Sequence, residues 1–256
     1  MRNILAIAGK EVRSYFTSPI AYIVIGVFAL LYGYFYIAIL SFFVRQSMQM
    51  GQFGGAGQPM NINQDMIRPI LSDVLVLLLF VLPAVTMRTY SEEKRSGTIE
   101  LLLTSPLTDF QIIMGKFLGA MALYAVMLAV SWIHIGMLFL YGRPEVKPLL
   151  TAYLGLLLVG GCFISVGLFI STLTRNQIVA YMTTFAVFLL LWVINWVGTF
   201  GGPMLADITS YLSIVDQYDD FGKGVIDTSH LIYYGSFMTF GLFLTAKSVA
   251  SDRWRG

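Results

Sequence analysis

The chain has 256 residues, of which 57% are hydrophobic and only 12% charged, with a formal charge of +2. A soluble domain carries roughly a quarter charged residues, so a mean hydropathy of +0.75 leaves too little polar surface to cover a water-soluble globule. The small net charge offers nothing to a nucleic acid. Lipid can replace the missing water-facing surface, provided the backbone satisfies its own hydrogen bonds in helices or a closed barrel. A barrel would alternate apolar and polar residues over about ten positions. Here the apolar stretches are long and continuous, which predicts an all-α integral membrane protein.

The first element, 1–19, is short and amphipathic. On a helical wheel Ile4, Ala8, Val12, Tyr15 and Phe16 share one face, with Arg2, Lys10 and Arg13 opposite. Glu11 falls near the apolar arc and mars the pattern. Ser18-Pro19 then breaks the helix. A basic amphipathic helix here would lie in the membrane interface; the plainer reading is a charged anchor for the span that follows. The next apolar run, 20–43, is too long for a signal peptide and lacks its small-residue exit, so it reads as a retained first span.

A span needs about 20 mostly apolar residues. Six segments qualify: 20–43, 70–87, 117–141, 149–174, 178–198 and 231–250. The second carries Asp73 near its start and Pro83 inside, and the sixth is the most polar. Between them lie two segments of distinct character. The stretch 46–68 is rich in Gly, Gln, Met and Asn, includes Gly54-Gly55-Ala56-Gly57, and reads as mobile with no packing of its own. The stretch 199–230 mixes acidic residues with Leu205, Ile208, Tyr211, Leu212, Ile214 and Val215, which suggests a short helix dipping into the outer leaflet. Six spans put both termini on one side. That side collects eleven of the 16 Lys and Arg residues, against five on the other. Positive charge marks the cytoplasmic side, so both termini are expected inside.

Polar groups within the spans are few. An ionisable residue there is a functional candidate by default. Asp73 lies near an external mouth, where water can reach it. His134, beside Ser131 and Trp132, reads as a neutral histidine bonded to a neighbouring helix. Asn195, between Trp192 and Trp196, fits an interface belt. The single Cys162 lies in an apolar run and reads as packing, with no metal-ligand spacing around it. No nucleophile–base pair or metalloprotease motif occurs, which predicts no enzyme activity. No phosphate-binding loop occurs either: Gly115-Lys116 is followed by Phe117 and lacks the upstream glycine. Gly115 and Gly119, Gly161 and Ser165, and Gly167 and Ser171 have the spacing that lets helices approach closely.

The informative stretch is 88–116, on the positive side. Glu92, Glu93, Lys94 and Arg95 put both signs of charge where the second span leaves the membrane. Gly97 permits a sharp change of direction. Residues 98–104 can form a short surface helix, ended by Ser105-Pro106. Thr108 or Asp109 can cap the helix leading into the third span. Such an elbow is either a docking surface for a soluble partner or a solvated loop.

This stretch resembles the signature of ABC-2 type transporter permeases. The matching residues are Glu92-Glu93-Lys94-Arg95-Ser96-Gly97-Thr98-Ile99-Glu100-Leu101-Leu102-Leu103-Thr104-Ser105-Pro106-Leu107, then Ile113-Met114-Gly115-Lys116-Phe117. Ala8-Gly9-Lys10-Glu11 with Ser18-Pro19 is similar to the family's interfacial elbow helix. The finer likeness is to the gliding-motility-associated permease, the GldF type. It rests on Thr17-Ser18-Pro19-Ile20, Pro83-Ala84-Val85-Thr86-Met87-Arg88, Asn176-Gln177-Ile178-Val179-Ala180 and 222–228.

The resemblance implies a type V exporter-like fold: six spans, an elbow helix at Lys10, Glu11 and Arg13, and a cytoplasmic coupling helix. It implies that Glu92, Glu93, Arg95, Gly97, Thr98, Glu100 and Leu101 contact an ABC ATPase. That ATPase would be present in two copies and would hold the ATP and Mg; this chain would hold no cofactor. It further implies a bacterial inner-membrane location, a second permease copy as a homodimer, and a membrane-anchored GldG-type auxiliary partner. The expected function is export or envelope remodelling. Two alternatives stand beside it: an ATP-driven transmitter acting on an external partner through 199–230, and an ion-coupled carrier or intramembrane enzyme centred on His134 and Asp73.

Overall fold

The computed structural model describes residues 1–52, 61–104, 106–200 and 202–255, and every element in them is helical. In chain order these are α1 (Arg2–Thr17), α2 (Pro19–Gln52), a π-helical turn (Asn63–Ile67), α3 (Arg68–Thr86), α4 (Ser91–Ser96), α5 (Ile99–Thr104), α6 (Asp109–Tyr141), α7 (Val146–Leu173), α8 (Gln177–Phe200), α9 (Pro203–Leu212), α10 (Ile214–Gly222) and α11 (Thr228–Arg255). Five stretches are long and apolar enough to cross a bilayer: Pro19–Gln49, Asn63–Ser96, Asp109–Tyr141, Val146–Leu173 and Gln177–Ile194. The sixth expected span corresponds to α11. At 28 residues it is long enough, but Ser236, Thr239, Thr245 and Lys247 dilute its hydropathy.

Helices α3 and α7 form the centre and are mostly buried, whereas α2 and α8 are mostly exposed. Continuous apolar sequence allows this, because a span reads the same whether it faces lipid or protein. The small residues of α7 set its packing. A Cβ at Gly167 would meet Thr86 Oγ1 of α3 at 2.3 Å, and one at Gly161 would meet Met238 Sδ of α11 at 2.6 Å. Ser165 faces Gly241, and Thr172 Oγ1 donates to Ser248 Oγ at 2.7 Å. Positions rise together on the two helices, so α11 runs parallel to α7 over the same depth. Cys162 is buried between them, its thiol 3.5 Å from the Tyr234 carbonyl, in keeping with a packing role.

The bundle therefore has two ends. One, the signature end, carries α1, the turn after α3, α4, α5, the start of α6 and the end of α11. The other carries the π-helical turn, the α6–α7 connection, α9 and α10. The segment expected to be mobile, 46–68, is partly built. Helix α2 continues to Gln52, since Gln and Met are good helix formers. Asn63 exchanges hydrogen bonds with the backbone of Glu145, both at 2.9 Å, and Met66 and Ile67 are buried. The Gly54-Gly55-Ala56-Gly57 run lies outside the described residues.

The stretch 199–230 forms two helices rather than one. Gly202, at φ 80°, turns the chain into α9, and Ser213 Oγ caps α10 by accepting from Asp216 N at 3.2 Å. Ile214, Gln217, Tyr218 and Phe221 make the buried face of α10, which packs on α7 and α3.

Within the spans, His134 sits against the rings of Tyr32 and Tyr36, at 5.4 and 5.1 Å between centroids. Its Nδ1 is buried with no hydrogen-bond partner among the described residues. The expected bond to a neighbouring helix is replaced by aromatic packing. Asp73 is half-buried on α3. Asn195 lies on α8, with its side chain outside the described residues.

Candidate functional site

The signature end is organised by one buried cation. Lys116, on the first turns of α6, is 1% exposed. An ammonium has three protons to donate, and all three are taken. They go to Glu11 Oε1 on α1 at 2.9 Å, Glu93 Oε1 on α4 at 2.8 Å, and the Thr89 carbonyl at 2.8 Å. The Tyr90 ring lies 4.9 Å from the ammonium. Full pairing is what makes a buried charge tolerable; an unpaired one costs several kcal/mol (~3–5). Three chain segments distant in sequence are thus tied at one atom.

Helix α1 reaches that joint because α6 presents glycine where the two helices cross. A Cβ at Gly115 would stand 2.6 Å from Ile7 Cβ, and one at Gly119 would stand 2.6 Å from Glu11 Cβ. The small-residue spacing read in the sequence is therefore the seat of α1. Glu11 breaks the apolar arc because its partner is Lys116. Lys10 and Arg13 point outward and are exposed. Near its other end, Tyr15 Oη donates to the Val85 carbonyl at 3.2 Å, and Arg88 Nη1 donates to Ser18 Oγ at 2.9 Å.

Helix α4 is set apart from α3 by the turn 87–90. Pro83 has no N–H for the helix ladder, and α3 ends one residue short of Met87. Ser171 of α7 then acts as a cap from outside the segment. Its Oγ accepts from Tyr90 N and Ser91 N, at 3.0 and 3.1 Å. Adjacent charges on α4 point to different flanks. Glu93 goes to Lys116, whereas Lys94 pairs with Asp252 of α11 at 2.6 Å and donates to the Thr172 carbonyl of α7. Glu92 receives Arg88 in a two-pronged pair at 2.8 and 2.9 Å.

Gly97 closes α4 at φ 73°, where a side chain would be strained. The chain turns there into α5. Thr108 is the cap of α6: its Oγ1 accepts from Gln111 N at 3.3 Å, and the Gln111 side chain answers to Thr108 N at 3.4 Å.

Of the residues singled out in sequence, Arg95, Gly97, Thr98, Glu100 and Leu101 form an exposed tip, with Leu101 73% exposed. Glu92 stands at its base. Glu93 is turned inward, so the structure groups it with Glu11 rather than with the tip. Lys116, Lys94, Ser171 and Asp252 were not singled out as site residues. The signal for Lys116 was a lone lysine among glycines at the head of a long apolar helix, with a misplaced Glu11 to match.

The opposite end has its own polar cluster. Arg68 pairs with Asp219, Lys223 with Asp219 and Asp220 at 2.8 and 3.1 Å, and His230 Nε2 meets Asp220 at 2.9 Å. Burial pushes the Asp219 carboxyl up, but Lys223 and Arg68 outweigh it and hold it below its usual 3.8. His230 and Lys223 hold Asp220 low as well. A carboxyl depressed in the fold stabilises above its unfolded value and loses that contribution as pH falls through the folded one. The attachment of α10 to α3 and α11 should therefore stay constant from pH 7 to about 4 and loosen only below that. Hydrogen exchange of the α10 amides against pH checks this; loosening between pH 7 and 5 would contradict it.

A multi-pass helical membrane protein with an exposed elbow tied to several of its helices has a build compatible with a permease. The chain belongs to the ABC-2 family transporter proteins, whose model matches residues 5–246. It is also similar to the probable multidrug ABC transporter permease YbhR of Escherichia coli, strains K12 and O157:H7. Identity is 33% over 101 residues in each, covering 40% of this chain and 27% of the relative.

Proposed function

We propose that this chain is the transmembrane permease subunit of an ABC exporter in a bacterial inner membrane, of the GldF type, with both termini cytoplasmic. A separate ATPase, in two copies, holds ATP and Mg and docks on the tip formed by Glu92, Arg95, Gly97, Thr98, Glu100 and Leu101. The observation that carries this reading is the exposed α4–Gly97–α5 elbow, seated on the buried Lys116 joint. The lysine and arginine excess of the same end supports the orientation. The length of α11 and its parallel course along α7 support a sixth span. Two permease copies form the pathway; the apolar outer faces of α2 (Tyr22, Leu30, Ile37) and α8 (Ile178, Met182, Leu190) leave room for a second copy and for lipid.

Glu100→Arg reverses charge on the exposed tip without touching the joint. The variant should remain in the membrane, while permease-dependent stimulation of the ATPase in the reconstituted complex falls by at least tenfold. Unchanged stimulation would refute the docking assignment.

A second reading is favoured by α10, a charged helix anchored on α3, α7 and α11 at the far end. On this reading the complex transmits force to an external partner of the GldG type, without moving a solute, in gliding or envelope remodelling. ATP-dependent accumulation of a defined solute in vesicles would exclude it.

A further inference from the structure

Helix α1 contains four charged residues, Arg2, Lys10, Glu11 and Arg13. The single acid is turned inward and spent on Lys116. Arg2, Lys10 and Arg13 are exposed and lie within about one quarter of the helix wheel, at roughly 100° per residue. Beside that arc runs an apolar edge containing Leu5, which is 67% exposed, and Phe16, half-buried against the Tyr22 ring at 5.8 Å. Apolar edge and cationic arc thus stand side by side on a helix attached to the end of the bundle. A membrane surface is the partner with that layering: acyl chains for the edge, headgroups for the arc. Since no acid remains on the outward face, the headgroups it favours are anionic.

We propose that the outward face of α1 recognises anionic lipid headgroups through Arg2, Lys10 and Arg13. Their occupancy holds Glu11 in place on Lys116 and so fixes Glu93 and α4. The bilayer charge thereby regulates the elbow to which the ATPase docks. This rests on the coupling reading above for its regulatory half, but not for lipid recognition. Each basic residue near an anionic surface is worth about fivefold in partitioning.

The test has two readouts. In the first, the full chain carries a fluorophore on Ser14→Cys; Cys162 is buried and stays unlabelled. It is reconstituted in phosphatidylcholine vesicles doped with headgroup-nitroxide phosphatidylglycerol or headgroup-nitroxide phosphatidylcholine at equal mole fraction. The phosphatidylglycerol label should quench several-fold more, and this preference should vanish in Lys10→Gln/Arg13→Gln but persist in Arg45→Gln. Equal quenching by the two lipids, or a preference surviving the double variant, overturns the recognition.

In the second, the ATPase activity of the complex is compared in vesicles with and without phosphatidylglycerol. The lipid should stimulate the native complex several-fold and leave Lys10→Gln/Arg13→Gln unmoved. Lipid-insensitive activity in the native complex overturns the regulatory half. Glu100→Arg should lose coupling yet keep the quenching preference, so failure of the docking reading and failure of this one are distinct.

Discussion

Lys116→Met is expected to be the most damaging single substitution at the signature end. It removes the one cation shared by Glu11 and Glu93 and leaves two carboxylates facing each other in a site that is almost dry. Removing one partner of a buried ion pair costs about 3–5 kcal/mol. The extracted variant should therefore unfold at a markedly lower temperature than the native chain, or fail to accumulate in the membrane. The companion experiment is Lys116→Met/Glu11→Leu/Glu93→Leu. An apolar trio of similar volume restores packing without stranded charge, and such replacements are often neutral or stabilising. The triple variant should regain most of the lost thermal stability. A triple variant as unstable as Lys116→Met would show that the damage does not come from uncompensated charge.

Gly115→Val is expected to give the second large effect, by a different route. The new side chain would occupy the place of Ile7 Cβ and press on the Ile4 carbonyl, 3.2 Å from where its Cβ stands. The obstruction is the backbone and near backbone of α1, not the loose end of a long side chain, so α1 must move away. Overpacking of this kind costs roughly 1–3 kcal/mol. Displacing α1 also withdraws Glu11 from Lys116. The amides of α1 should exchange far faster than in the native chain, while those of α7 should not change. Protection of α1 equal to native would refute the packing described for Gly115 and Gly119.

Much of this architecture is legible in the sequence, for physical reasons that differ by element. Long apolar runs locate spans directly, because lipid tolerates nothing else over that length. The elbow is legible because Gly97 and Ser105-Pro106 punctuate it chemically. What the sequence hides is pairing between distant segments. Glu11 looks like a flaw in an amphipathic pattern until Lys116 is seen opposite it, more than a hundred positions away. Glu93 looks like one more surface acid in a charged run, yet it points inward. Ser171 reads only as a small residue on an apolar helix, though its hydroxyl begins α4. The expected sixth span is the converse case: α11 is too polar to count as a span on composition, and its parallel course along α7 is visible only in three dimensions.

The neighbours Glu93 and Lys94 have a mechanical consequence. Because they are tethered on different flanks of α4, one to α1 and α6 and the other to α7 and α11, the helix is held from two sides. A load applied at Leu101 acts at the far end of a short arm whose root is pinned on two flanks. The natural response is rotation about that root, which pulls on one pair of helices as it slackens the other. A single stroke would then be divided into two motions of opposite sense, as at the fulcrum of a rocker.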